Sequence, residues 1–182
     1  MPNTKRYLIT AVTLGLIATG SALLIACTNM ITKEKIASNE QKKIDEGLAS
    51  IFDVEVGKLN SNLVELPKEK EFTYVSDSYY EIKNENNEPL GYAFKTNGSN
   101  SYGKISLIVG FTKEYVYKGL SVVTNEQSFA STLNKKYLDP LMEDEREIDD
   151  VSCGATYGAK LVRDMVNDAT SAAEYLKGAN NG

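Results

Sequence analysis

Histidine does not occur anywhere in the 182 residues of this chain. Its absence excludes histidine-based triads, histidine metal ligands and acid–base catalysis by an imidazole. Cysteine is nearly as scarce, since only Cys27 and Cys153 are present. Two cysteines are too few for a disulfide framework or an iron–sulfur cluster. Any redox chemistry of this protein therefore requires an organic cofactor.

Basic residues are fewer than acidic residues in this chain. The chain has 20 Lys and Arg against 25 Asp and Glu, which gives a net charge of −5 and a pI near 4.9. Proteins that bind nucleic acid usually present a basic face, so we expect no nucleic-acid partner. The length allows one domain plus an anchor, and a hydrophobic content of 42% is ordinary for a folded protein.

An uncharged run from Tyr7 to Cys27 follows two basic residues near the N terminus. As a helix its 21 residues would span about 30 Å, enough to cross a bilayer. Residues 7–27 are therefore predicted to form a transmembrane anchor, with residues 1–6 in the cytoplasm. The tetrapeptide Leu-Ile-Ala-Cys ending at Cys27 also fits a lipoprotein signal, in which Cys27 is lipidated after cleavage. Both interpretations place the following domain outside the cytoplasmic membrane.

Residues 28–75 are predicted to form a helical spacer and the N-terminal part of the extracytoplasmic region. Between Thr32 and Phe52, isolated apolar residues among charges predict a polar helix that leaves the membrane. From Asp53 to Ser76 the signals are mixed, and Pro67 interrupts any long element. No definite element is predicted there.

Four β-prone segments follow: residues 79–84, 90–96, 105–111 and 119–123. A loop rich in turn residues separates the first two and predicts a hairpin, and Asn97 to Asn100 predicts a second turn. The apolar run of the third segment predicts an interior strand. Short loops favour antiparallel connections, because parallel crossovers need a dozen or more residues.

A long amphipathic helix is predicted from about Tyr157 onward. Its apolar residues return every three to four positions and form one stripe: Leu161, Val162, Met165, Val166, Ala169, Ala172, Ala173 and Leu176. Thr156 would be the N-cap or lie in the first turn, where free backbone N–H groups and the helix dipole stabilise a bound phosphate. Taken alone, a threonine at this place is usually a helix cap.

The residues before this helix also resemble a known motif. Asp150-x-x-x-Gly154-Ala155-Thr156 is similar to the flavinylation motif of the FMN-binding domain family. Two members are the G subunit of the Rnf electron-transport complex and the C subunit of the sodium-translocating NADH:quinone reductase. In that family a flavin transferase esterifies the threonine to the phosphate of FMN. The resemblance implies that Thr156 carries covalent FMN.

Two positions depart from the family pattern. Cys153 stands where the family usually has Ser or Thr, and Gly158 stands where a further Thr or Ser is common. Neither change removes the acceptor hydroxyl of Thr156.

The resemblance extends from about Ser76 to Leu176 and also includes the anchor. Thr28 to Ile36 resembles the segment that follows the single membrane helix of the Rnf G subunit, which favours an uncleaved anchor over a lipoprotein signal. Tyr102 belongs to a glycine-rich turn like that of the family, and Glu126 is the residue retained from a loop that in the family resembles Glu-Thr-Pro-Gly-Leu-Gly. Phe129 follows in a short helix predicted from Ser128 to Tyr137, where it either contacts the flavin ring or belongs to the core. The resemblance implies a set of FMN-binding residues: Thr156, Asp150, Cys153, Gly154, Ala155, Tyr102, Glu126 and Phe129.

The segment from Asp139 to Asp150 is dense in carboxylates. It lacks the alternating oxygen-ligand spacing and the glycine of a calcium loop, so it is predicted to be a solvated loop rather than a metal site. No catalytic residue is predicted.

These features predict an α+β domain at residues 76–177, an antiparallel sheet with packed helices, preceded by one transmembrane helix. The resemblance implies a single-pass membrane flavoprotein that transfers electrons within an Rnf-like complex coupling ferredoxin and NAD to ion transport. Its partners would be the other membrane subunits and a flavin transferase, and it would have no catalytic turnover alone. Two alternatives stay open: a free-standing flavinylated lipoprotein for extracytoplasmic electron transfer, and a surface binding lipoprotein without flavin.

Overall fold

The computed structural model describes residues 3–67, 69–143 and 145–180. The chain divides into two units, residues 1–41 and residues 42–182. Its elements are, in order, α1 (Asn3–Phe52), β1 (Leu59–Glu65), β2 (Val75–Asn84), β3 (Pro89–Asn100), β4 (Gly103–Thr112), β5 (Tyr117–Asn125), α2 (Ala130–Leu133), a π-helical segment (Asn134–Leu138), α3 (Asp139–Met142) and α4 (Thr156–Asn180). This element content confirms the predicted α+β class.

The first unit contains the apolar part of helix α1. Its side chains from Arg6 to Met30 are exposed, and among the described residues α1 is the one helix long and apolar enough to cross a membrane. Hydroxyls within it are satisfied locally: Thr13 and Thr19 each donate to the backbone carbonyl four residues earlier, at 2.9 and 2.8 Å. Such local bonds suit an apolar surrounding, where no water can satisfy a hydroxyl. The helix continues unbroken through Cys27.

The second unit is built on one antiparallel sheet in which each strand pairs with its neighbour in sequence. This order confirms the predicted meander. All side chains of β4 from Ile105 to Phe111 are buried and the strand has neighbours on both sides, which confirms the predicted interior strand. The sheet also includes β1, whose polar residues 60–62 are exposed at the sheet edge.

Helix α4 covers one face of the sheet and packs mainly against β3. All eight residues of the predicted apolar stripe are buried, so the helical periodicity identified the packing face correctly. The side chain of Asp168 accepts hydrogen bonds from the backbone N–H groups of Tyr74 at 2.6 Å and Val75 at 3.3 Å. The carboxylate thereby connects α4 to the start of β2.

The last residues of α1 cover the opposite face. They form a second apolar cluster with the sheet: Ile44, Leu48, Ile51, Phe52, Ile82, Ala93, Ile108 and Val123. Gly110 permits this close approach, because a Cβ atom there would lie 2.4 Å from Cγ2 of Ile51. The end of this helix is therefore part of the core, although its charged sequence predicts only a spacer.

Two local features differ from the sequence prediction. β3 continues through Asn100 instead of turning at residues 97–100, because Asn97 and Gly98 pair with Ser106 and Ile105 of β4. The Ser106 hydroxyl also donates to the Asn97 side chain at 2.8 Å, which satisfies this polar residue within a strand. The short helix predicted from residue 128 to residue 137 starts at Ala130 and extends through three successive helical segments.

Candidate functional site

The site is centred on Thr156, the first residue of α4. Gly154 has a φ of +81°, a left-handed conformation that favours glycine, and it turns the chain into the helix. The Ala155 carbonyl accepts the first helical hydrogen bond, from the Ala159 N–H at 3.0 Å, so Ala155 occupies the N-cap position. Thr156 thus lies in the first turn, one of the two positions predicted for it.

The Thr156 side chain is half-buried. Within the described part of the chain, its hydroxyl has no hydrogen-bond partner. A capping threonine would instead accept a hydrogen bond from a backbone N–H two or three residues further along. The hydroxyl is therefore not used as a helix cap.

A pocket of about 270 Å³ opens beside this hydroxyl. Three segments that are distant in sequence supply its walls: the turn after β3, the segment after β5 and the start of α4. The lining residues are Tyr102, Gln127, Phe129, Leu133, Gly154, Ala155, Thr156, Tyr157 and Gly158.

Three aromatic rings surround the mouth of the pocket. The Tyr102 ring lies 5.5 Å from the Tyr157 ring at an interplanar angle of 25°, and 6.0 Å from the Phe129 ring. Phe129 and Tyr157 are 56% and 66% exposed. Large apolar rings grouped at the surface commonly mark a binding site, because burying them against a ligand is favourable. The exposure of Phe129 also excludes the alternative that it belongs to the core.

Backbone hydrogen bonds hold Tyr102 against the segment that follows β5. The Tyr102 carbonyl accepts from the backbone N–H of Ser128 at 2.7 Å and from its hydroxyl at 3.0 Å. The buried Gln127 donates its side-chain amide to the Gly103 carbonyl at 2.5 Å. Gly103 itself has a φ of +131°, and a Cβ atom there would lie 2.2 Å from the Glu126 carbonyl oxygen. The two loops are therefore joined into one continuous wall of the pocket by hydrogen bonds and close backbone packing.

The structure brings five of the eight predicted site residues together in the pocket lining: Tyr102, Phe129, Gly154, Ala155 and Thr156. The other three lie outside it. Glu126 is exposed and contributes its backbone to the contact between the loops, Asp150 is exposed, and Cys153 is buried in the core cluster beneath α4. A role of these three in binding a cofactor stays a prediction.

Arg146 organises the loop that contains Asp150. Its guanidinium donates to the backbone carbonyls of Lys136, Asp150 and Ser152, the last two at 2.8 Å each. It also pairs with the Asp150 carboxylate at 2.9 Å and lies over the Tyr137 ring, 5.5 Å from the ring centroid. Arg146 stands among acidic residues in the sequence, and no role was predicted for it.

Tyr137 supports the same loop from below. Its ring is fully buried, and its hydroxyl donates to the backbone carbonyl of Ile148. Burial raises the pKa of the Tyr137 phenol well above its usual range, and the guanidinium of Arg146 opposes this shift only in part.

Four residues of the pocket lining were not predicted from the sequence: Gln127, Leu133, Tyr157 and Gly158. Gln127 is a buried polar residue in a polar loop, and nothing in the sequence distinguishes it from its neighbours. Gly158 is distinguishable in the sequence, because it stands where the family commonly has Thr or Ser. A Cβ atom at Gly158 would lie 2.8 Å from Cδ2 of Leu133, so this glycine lets Leu133 pack against α4.

The described carboxylates at 143, 145, 147, 149 and 150 are all exposed, and Asp144 lies outside the described residues. Within the part of the chain that the structure describes, no group of three His, Cys, Asp or Glu residues could hold a metal ion.

Comparison with protein families gives one match. Residues 1–51 fit the family described as the RnfG N-terminal region. No curated protein matches the chain. The match confirms a resemblance to the RnfG subunit over this part of the chain, and it includes the segment after the apolar run, Thr28 to Ile36, that had suggested a membrane anchor. Together with the apolar helix α1, it indicates a single-pass membrane protein.

Proposed function

From the match of residues 1–51 to the RnfG N-terminal region, we propose that this chain is the G-type subunit of an Rnf-type electron-transport complex. It carries FMN as a phosphoester on Thr156, and its folded domain lies on the extracytoplasmic side of the membrane. It passes electrons between partner membrane subunits of a complex that couples electron flow between ferredoxin and NAD to ion transport.

The observation that carries the FMN assignment is the position of the Thr156 hydroxyl. It lies at the N terminus of a 25-residue helix and beside an aromatic pocket, and no hydrogen bond from the described residues engages it. Free backbone N–H groups and the positive end of the helix dipole stabilise a phosphate at this place. An ester phosphate on Thr156 would therefore need no lysine or arginine of its own.

We expect the pocket to enclose the flavin ring only in part. Its volume of about 270 Å³ lies just below the range of roughly 300–1,000 Å³ that is usual for small-molecule sites. Tyr102, Phe129 and Tyr157 offer flat apolar faces for the ring, and the covalent bond would compensate for incomplete burial. When bound, FMN supplies the electron-accepting and electron-donating chemistry, and the residues of this chain bind and orient it. An exposed ring edge would suit electron exchange with partner subunits.

The attachment step would transfer the flavin-bearing phosphoryl group of an activated flavin dinucleotide to the hydroxyl of Thr156. A bond forms between Oγ1 of Thr156 and the phosphorus of the flavin-bearing half, while the phosphoanhydride bond breaks and a nucleoside monophosphate leaves. The hydroxyl proton passes to a base of the transferase. The part of this chain is to present the hydroxyl in a fixed position at the start of α4.

Co-expression with a flavin transferase tests the proposal. We expect the denatured wild-type band to show flavin fluorescence on a gel, the Thr156→Ala band to be dark and the Thr156→Ser band to stay fluorescent. Thr132→Ala is a matched control, because Cγ2 of Thr132 lies 3.7 Å from where a Cβ atom of Gly154 would be. That variant removes a neighbouring hydroxyl without touching the acceptor.

Mass spectrometry of the intact protein should show the mass of FMN less one water on the wild type. A dark wild-type band in the presence of a working transferase would contradict the flavin assignment and favour a binding lipoprotein. A fluorescent Thr156→Ala band would show that another residue is the acceptor. Co-purification of membrane partner subunits with the labelled chain tests the assignment to a complex separately.

A further inference from the structure

We infer that Arg146 is the positioning residue that gives the segment from Asp150 to Gly154 the shape a flavin transferase recognises. The inference rests on the proposed attachment of FMN to Thr156 and names a residue that the flavinylation motif does not include. Arg146 is not among the residues that line the pocket, and its hydrogen bonds go to the carbonyls of Lys136, Asp150 and Ser152, so we infer that it acts through the loop.

The contacts of Arg146 fix the backbone at two points within the segment from Asp150 to Gly154. Nε donates to the Asp150 carbonyl and Nη2 to the Ser152 carbonyl, both at 2.8 Å, while Nη1 donates to the Lys136 carbonyl in the π-helical segment. One planar group thus joins the loop to a helical segment that places Tyr137 and Leu138 in the core. Its side chain is only 17% exposed, so these charge-assisted bonds are partly shielded from water.

Arg146 also fixes the carboxylate of Asp150. Oδ2 of Asp150 lies 2.9 Å from Nη2 of Arg146, and Oδ1 accepts from the Ser152 N–H at 3.3 Å. The Asp150 side chain is still 57% exposed, so an approaching enzyme can contact it. The result is an exposed acidic group in a set orientation, a few residues before the acceptor threonine.

Lysine cannot replace this arginine. The contacts require several N–H donors in one plane, whereas an ammonium group is a single point with no fixed fork. The Tyr137 ring beneath the guanidinium adds a stacking contact that favours a flat cation. With Arg146→Lys we therefore expect a loop that samples several conformations, while the sheet and α4 stay folded.

Steady-state kinetics of the transferase with the full-length chain in detergent tests the inference. A partly ordered loop lowers the fraction of acceptor competent to bind, so Arg146→Lys should raise KM for the acceptor protein about tenfold. Because α4 still holds Thr156, kcat should stay near the wild-type value. Arg163→Lys is the control, since Arg163 pairs with Asp164 on α4 and its hydrogen bonds within the described part of the chain go to that carboxylate.

Two further measurements separate positioning from folding. Hydrogen exchange of residues 150–155 should accelerate in Arg146→Lys, while exchange within β4 and α4 stays unchanged. Arg146→Ala should regain a low KM when methylguanidinium is added below denaturing concentration, because the free cation can occupy the vacated site. Such a recovery would not occur if the substitution had simply unfolded the domain.

If the wild type is labelled but Arg146→Lys has an unchanged KM, or shows only a lower kcat, the inference is overturned. The proposed function is left intact by that outcome. A folded Arg146→Ala protein that methylguanidinium does not rescue would also count against it. An unlabelled wild type would overturn the proposed function, and the inference would fall with it.

Discussion

At the scale of single residues, Tyr137 connects the hydrophobic core to the loop that precedes Thr156. Its ring is buried among apolar residues, its hydroxyl donates to the Ile148 carbonyl, and the Arg146 guanidinium lies above it. A buried phenol is stable only in its neutral form, which is why its pKa is raised. The core residue and the loop should therefore respond together to substitution and to alkaline pH.

Tyr137→Phe should lower the free energy of unfolding at neutral pH by about 1–3 kcal/mol, because the Ile148 carbonyl loses its donor. The same substitution should weaken the dependence of stability on alkaline pH. Above about pH 10 the unfolded chain releases the phenolic proton first, so wild-type stability falls by up to about 1.4 kcal/mol per pH unit through this group. Below that pH the group contributes no slope.

Urea unfolding of the full-length protein in detergent, between about pH 8 and about pH 11, checks this prediction. Wild type and Tyr137→Phe should lose stability at different rates as the pH rises, with the shallower loss in the variant. Equal slopes would mean that the Tyr137 phenol ionises as readily in the folded protein as in the unfolded chain.

At the scale of elements, the end of α1 packs closely against the sheet at two glycines, which are paired with each other on the neighbouring strands β4 and β5. Gly110 of β4 pairs with Gly119 of β5, and both lie beneath Ile51. A Cβ atom at Gly110 would lie 2.4 Å from Cγ2 of Ile51, whereas one at Gly119 would lie 4.0 Å from it. The two positions thus offer a matched pair of substitutions.

Gly110→Ala should destabilise the folded unit by about 1–3 kcal/mol, because the extra methyl group overpacks the contact with Ile51. Gly119→Ala should change stability little, since ordinary van der Waals contact is available there. Thermal unfolding of the two variants beside the wild type measures the difference. Equal melting temperatures for the two variants would show that α1 does not press against β4 as described.

Periodicity predicted the elements whose faces are fully apolar or cleanly alternating. The stripe from Leu161 to Leu176 and the run from Ile105 to Phe111 are of this kind. The end of α1 was missed as core because its apolar residues stand among charges, and the face they cover exists only once the sheet has formed. β1 was missed because Asn60 to Asn62 are polar residues of an exposed edge strand.

The candidate site was predictable only in part. Thr156, Gly154 and Ala155 form a local motif, and a local motif can be identified without a fold. Gln127 and Leu133 reach the pocket through tertiary packing alone, so no spacing in the sequence relates them to Thr156. Arg146 was hidden among acidic residues, since its importance lies in the backbone carbonyls that it joins.

At the scale of the whole molecule, the division at residue 41 separates the apolar helix from a unit with its own two-sided core. The second unit keeps the last residues of α1. Because they cover one face of the sheet, a domain boundary drawn at the end of that helix would leave the apolar residues of that face uncovered.

A shortened chain of residues 42–182 should be soluble and unfold cooperatively, whereas residues 53–182 should not fold. The shorter chain loses the four α1 residues of the second apolar cluster: Ile44, Leu48, Ile51 and Phe52. Truncating even one large core side chain commonly costs about 2–5 kcal/mol, and a whole domain is stable by only about 5–15 kcal/mol. Near-ultraviolet circular dichroism and size-exclusion chromatography of the two chains test this. A cooperative unfolding transition in both chains would show that residues 42–52 of α1 are not needed for folding.

The order of the strands along the chain has a consequence for how the protein matures. Because every strand pairs with its predecessor, the sheet consists of local contacts, which form quickly and can form in sequence as the chain is synthesised. The pocket has no such local origin, since it needs Tyr102, the segment after β5 and the start of α4 together. An enzyme that recognises the assembled pocket would therefore modify only chains on which α4 has already docked, so that attachment of a cofactor would itself report completed folding.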